Sequence, residues 1–67
     1  MIRITHNGKL WVIEIGRVDE EALRIADKAR PANSTMEVAR GGIKVAIKDP
    51  KEAAEFYLDM KRLLGGG

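Results

Sequence analysis

Two glycine-marked turns, Asn7-Gly8 and Gly41-Gly42, each stand within a run in which apolar and polar residues alternate. Alternation with period two is the pattern of a half-buried strand, and Asn-Gly tolerates the positive φ of a tight hairpin. The chain therefore reads as two β-ribbons. Pairing centred on the first turn sets Ile4 opposite Trp11 and Ile2 opposite Ile13. One face then carries Ile2, Ile4, Trp11, Ile13 and Ile15, the other Arg3, Thr5, Leu10, Val12 and Glu14. Pairing centred on the second turn sets Val38 opposite Val45 and Met36 opposite Ile47. Its reverse face carries Thr35, Glu37, Ala39, Lys44, Ala46 and Lys48, with Glu37 in diagonal reach of Lys44 and Lys48. A lone two-stranded ribbon is not stable in water, so such ribbons must join a larger sheet.

A helix signal follows each ribbon. Asp19 is placed to cap the first helix, Glu20 and Glu21 suit the positive end of its dipole, and Val18 can staple onto Leu23. Ala22, Ile25, Ala26 and Ala29 recur at helical spacing, and Pro31 forces the stop. The small alanines imply close approach to the sheet. In the second helix Asp49 caps, Pro50 takes the first helical position, and Glu52 has capping-box spacing. Ala53, Phe56, Tyr57, Met60, Leu63 and Leu64 point inward, and Gly65 can end the helix in the left-handed conformation. The order is (β)β-α-β-β-α: an α+β fold with an antiparallel sheet of three or four strands and two helices on one face. Ile13, Ile15, Ile25, Val38, Val45, Ile47, Phe56 and Met60 are expected to form one core, with residues 1–64 as a single domain and 65–67 as a glycine tail.

Sixty-seven residues leave that core thin, because a domain of this size buries only about 60% of its unfolded surface. There is no Cys to staple it. A composition 45% hydrophobic and 33% charged is globular rather than disordered. No apolar run reaches the length of a membrane span and the first residues do not read as a signal peptide, so a cytoplasmic location is expected. Twelve basic and ten acidic residues give a net charge of only +2, with the signs interspersed. With one His and no Cys, most nucleophile and metal constellations are excluded.

The remaining candidates have structural explanations. His6 has no Ser, Cys or second His at motif spacing and reads as an exposed residue beside the turn. Capping accounts for Asp19, Glu20 and Glu21, and a solvated helix face for Glu52 and Glu55. Gly41-Gly42 lacks the Lys-Ser/Thr of a phosphate loop and opens no helix. No catalytic residue, cofactor or metal site is predicted. Arg24 and Lys28 on the first helix, with Lys44 and Lys48 on a strand face, are the candidate RNA contacts. Only Trp11 offers a ring for stacking bases, and it falls on the core face. Ala54 and Leu58 widen the apolar surface of the last helix beyond one stripe. Ala54, Tyr57, Leu58, Lys61 and Leu64 are therefore the candidate partner interface.

The run from Val18 to Ala26, its exit through Pro31-Ala32-Asn33, the Glu37-Val38 strand, the glycine turn, the Ile43–Ile47 strand and the Asp49-capped helix together resemble a known family. It is that of the small Pcc-type (CTAG-like) subunits of the KEOPS complex. The similarity covers roughly residues 9–64 and rests on periodicity and caps. The last helix departs from the family's Leu-Arg-Ala…Asn…Leu-Arg pattern, reading Ala53-Ala54-Glu55-Phe56-Tyr57-Leu58 instead, which suits a divergent paralogue as well as the standard subunit. The resemblance implies a non-catalytic subunit that pairs with another small Pcc-like chain as a homodimer or heterodimer. It also implies contact with the ATP-binding catalytic subunit and assistance to tRNA during threonylcarbamoyladenosine formation. A different class of function is suggested by Gly65-Gly66-Gly67. Sulfur-carrier and ubiquitin-like proteins act through a free diglycine carboxylate, although there the tail leaves a strand and here it leaves a helix.

Overall fold

The computed structural model describes residues 2–39 and 41–64. Six elements run in the order β1 (Ile2–Asn7), β2 (Leu10–Gly16), α1 (Glu20–Ala29), β3 (Thr35–Ala39), β4 (Gly42–Ile47) and α2 (Pro50–Leu63). The four strands make one antiparallel sheet in the order β1-β2-β4-β3, so the fold is α+β as the periodicity predicts.

Both hairpin registers differ from the expected ones by two residues. In the first, Ile2 pairs with Ile15 and Ile4 with Ile13, because the two-residue loop is Gly8-Lys9 rather than Asn7-Gly8. Gly8 takes φ +62° at the first loop position, as a primed turn requires there. In the second, Met36 pairs with Val45, Val38 with Ile43 and Ala39 with Gly42, and Gly41 takes φ +83°. Glu37 accordingly stands directly opposite Lys44 rather than diagonal to it. Moving a turn by one residue shifts the pairing by two, and the side-chain period is also two. Every paired strand residue therefore keeps its predicted face, whereas Lys48, expected beside Lys44, lies in the bend after β4.

Gly42 has a different reason to be glycine. Opposite Gly16 on β2, its Cβ would run into the carbonyl oxygen of Ile15. Beside it, Arg17 turns the chain out of β2 in a left-handed conformation (φ 57°), and its N–H donates to the Gly41 carbonyl at 2.6 Å. That bond ties the entrance of α1 to the second hairpin.

Both caps form as the residue types dictate. The Asp19 carboxylate accepts from the Ala22 N–H at 2.8 Å, and the Asp49 carboxylate from the Glu52 N–H at 2.9 Å. Pro50 sits in the first turn of α2. Arg30, just before Pro31, is extended (φ −70°, ψ 148°), as a residue preceding proline must tend to be. Its guanidinium then holds the α1–β3 loop, donating to the Ser34 carbonyl at 2.9 Å and to the Asp27 carboxylate at 3.0 Å. The Ser34 hydroxyl, largely buried, donates to the Pro31 carbonyl at 2.6 Å.

The core joins Ile13, Ile15, Ile43, Val45 and Ile47 of the central strands to Ala26, Ala53, Phe56 and Met60 of the helices. α2 lies over β1, β2 and β4 with α1 beside it. One expected core position, and one helix residue expected to point inward, are exposed instead. Val38 is 63% exposed although it is on the helix-side face: β3 is the outer strand, beyond the cover of α2. Ile43, its cross-strand neighbour on a central strand, is buried instead. Leu63, at the last turn of α2, is 52% exposed, with no later described element to cover it. Ile25 is half-buried and packs on the edge of the core. The glycine cap expected at Gly65, and the tail itself, lie outside the described residues.

Candidate functional site

Two surfaces remain after the core is closed, the outer stripe of α2 and the sheet face opposite the helices. On α2, Tyr57 and Leu58 lie three and four residues after Ala54 and four and three before Lys61, which brings the four onto one side of the helix. Ala54, Leu58 and Lys61 are exposed, and Leu58 is 61% accessible in mid-helix. Tyr57 and Leu64 are half-buried on the flank, against the core. The Lys61 ammonium stands 5.8 Å from the centre of the Tyr57 ring, within cation–π range. The stripe is thus a leucine and an alanine bordered by an aromatic edge and a cation.

The open sheet face takes its chemistry from strand register. Arg3 lies opposite Glu14, Glu14 opposite Lys44, and Lys44 opposite Glu37. Glu14 forms ion pairs with both basic neighbours, Arg3 at 3.9 Å and Lys44 at 3.7 Å. Such surface pairs stabilise a fold by about 0–1 kcal/mol each, so their arrangement matters more than their strength.

The four candidate RNA contacts fall on two different faces. Arg24 and Lys28 are exposed on α1, one turn apart. Lys44 is on the open sheet face, and Lys48 is exposed in the bend after β4. Trp11 is half-buried against the core, and His6 covers its ring with centroids 4.3 Å apart. His6 therefore belongs to β1 and packs on the tryptophan across the ladder, where it pairs by register. Arg30, one more exposed-looking cation in the sequence, is committed to the Ser34 loop.

A groove of about 660 Å³ opens between the start of α1 and the end of α2, where Arg17, Asp19, Glu21 and Lys61 contribute its polar lining. Asp19 is already engaged as the α1 cap. Among the described residues no cluster of three or more His, Asp or Glu is disposed to hold a metal ion, and no helix is long and apolar enough to cross a membrane. The charge row across the sheet was missed by sequence reasoning, because it exists only once the strand order is known. Comparison with protein-family models, with curated proteins and with solved structures finds no match.

Proposed function

We propose that the chain is a non-catalytic interaction subunit of a KEOPS-like assembly in the cytoplasm, supporting threonylcarbamoyladenosine formation on tRNA. In this reading the outer stripe of α2 is buried in a homodimer or heterodimer with another small Pcc-like chain, and the ATP-binding catalytic subunit contacts that pair. The observation that carries it is Leu58, held in the open on the best-capped helix with Ala54 and Tyr57 beside it. Burying a leucine side chain fully is worth about 1.5–3 kcal/mol, a large share of the stability of so small a domain. A partner surface is the economical use of such a residue. The element order and helix caps quoted for the resemblance support the same reading. Arg24 and Lys28 on one side, and Lys44 and Lys48 on another, then serve as auxiliary tRNA contacts.

The test is capture from the native host with an affinity tag at the N-terminus. The expected result is co-purification of an ATP-binding subunit and tRNA, with capture falling at least about tenfold for Leu58→Glu. A thiocarboxylate or covalent conjugate at Gly67, found by intact-mass measurement, would instead establish the sulfur-carrier class.

A further inference from the structure

The edge of the sheet at β3 is bare. β3 is the last strand in the order β1-β2-β4-β3, and alternate residues of an edge strand direct their N–H and C=O groups away from the sheet. The opposite edge differs: β1 lies under α2, with Ile2 and Ile4 packed against the core. β3 has no such cover. Its five residues, Thr35–Ala39, include neither Lys nor Pro, the side chains that commonly block a free edge. Val38 is 63% accessible, more than any other large apolar side chain among the described residues.

Two hollows line up along this strand on its helix side. One, about 380 Å³, is lined by Met36 and Leu23, with Glu20, Arg24 and Asp27 around them. The other, about 180 Å³, is lined by Val38 and Ile43 and shares Leu23 and Glu20 with the first. Met36 and Val38 are two residues apart on an extended strand, about 6.6 Å. That is also the distance between alternate side chains of a strand laid beside β3, so one added segment can fill both hollows at once.

We infer that the β3 edge binds an extended segment of another protein as an added outer strand, with an apolar–basic–apolar run at its centre. The inference goes beyond the proposed function, which uses the outer stripe of α2. Main-chain hydrogen bonds to an open edge supply affinity in this mode, and pockets for alternate side chains supply selectivity. The two apolar residues lie opposite Met36 and Val38 and enter the hollows. The residue between them points to the other face, beside Glu37, because successive side chains of a strand alternate. Lys44, opposite Glu37, pairs with Glu14 at 3.7 Å, and Glu37 makes no ion pair within 4 Å among the described residues. A Lys or Arg at the middle position supplies that missing pair. The first hollow, where Asp27 is already paired with Arg30 at 3.0 Å and Arg24 stands near Glu20, sets no preference of sign.

The same charge argues against a second copy of the chain as the occupant. Glu37 is the middle residue of β3, so two β3 strands paired antiparallel about that point set Glu37 against Glu37, and like charges directly opposite are destabilising.

The test uses the full chain and two dye-labelled peptides blocked at both ends, Ser-Thr-Val-Lys-Val-Thr-Ser and the same peptide with Glu for Lys. Fluorescence polarisation at low salt is expected to show saturable binding of the Lys peptide, about tenfold tighter than the Glu peptide. Val38→Lys, at an exposed position, is expected to weaken the Lys peptide about tenfold without moving the thermal melt. Glu37→Lys is expected to invert the preference between the two peptides. Nuclear magnetic resonance shift changes on binding should fall on β3 and Leu23, and should persist in Leu58→Glu. No saturable binding of either peptide overturns the inference. So does binding that ignores Val38→Lys, or that does not follow the sign of residue 37. A dimer in sedimentation velocity that is lost with Val38→Lys overturns it as well, because the edge then receives a second copy. Failure to capture a catalytic subunit removes the KEOPS-like reading and leaves this result standing.

Discussion

The molecule is built twice from one plan, a glycine-turned hairpin followed by an Asp-capped helix, but the two halves carry unequal loads. α1 buries only Ala22 and Ala26, and its neighbours Leu23 and Ile25 are half-covered. α2 is four residues longer, fourteen against ten, and buries Phe56 and Met60 as well as Ala53. The hairpins differ in the same way. β2 and β4 form the centre of the sheet, β1 lies under α2, and β3 is left at the rim with most of its residues exposed. Similar local signals thus end in different energetic roles, because cover depends on which element lies over the middle of the sheet. Of the two helices, α2 supplies the large buried side chains. α1, through Ala22 and Ala26, supplies close approach.

The largest test of this inequality compares the two helices. Phe56→Ala is expected to cost about 3–5 kcal/mol, against a total stability of about 3–10 kcal/mol for a chain of this length. Ile25→Ala, half-buried on α1, is expected to cost about 1–2 kcal/mol. Urea titration of both variants measures this, and equal losses would show that the helices share the core evenly.

The turns offer the next contrast. Gly42→Ala forces a Cβ against the Ile15 carbonyl where β2 and β4 meet and is expected to cost about 2–3 kcal/mol. Gly8→Ala has open space around its Cβ and pays only for the left-handed backbone, about 1 kcal/mol. Thermal unfolding should rank them in that order; the reverse order would make the first hairpin the more constrained one.

The smallest expected effect sits at one cross-strand pair. Val38→Thr at the exposed rim should change stability by less than about 0.5 kcal/mol. Ile43→Val, directly opposite and buried, should cost about 1 kcal/mol despite removing a single methyl group. If the Val38 change proves as costly, β3 is covered in solution by something beyond the described chain.

Of the candidate surfaces, the α2 stripe was legible in advance and the sheet row was not. Ala54, Tyr57, Leu58 and Lys61 are neighbours by helical geometry alone, so one element suffices to bring them together. Arg3, Glu14, Lys44 and Glu37 come from four strands, and no periodicity within any one strand shows that they share a row. Arg24 and Lys28 could likewise be grouped from spacing, whereas their separation from Lys44 follows from the side of the sheet on which the helices pack.

Element types, the Asp19 and Asp49 helix N-caps and the face of each paired strand residue were determined by sequence itself. Caps and periodicities are local, acting over three or four residues, and a turn misplaced by one leaves strand faces unchanged because two is the side-chain period. Strand order was decided only by the tertiary structure. Placing β4 beside β2 buries Ile43, leaves Val38 at the rim, sets the Gly42 backbone against Ile15 and assembles the charge row. Each of these depends on contacts between residues distant in the chain, and local signals do not specify which distant strands meet.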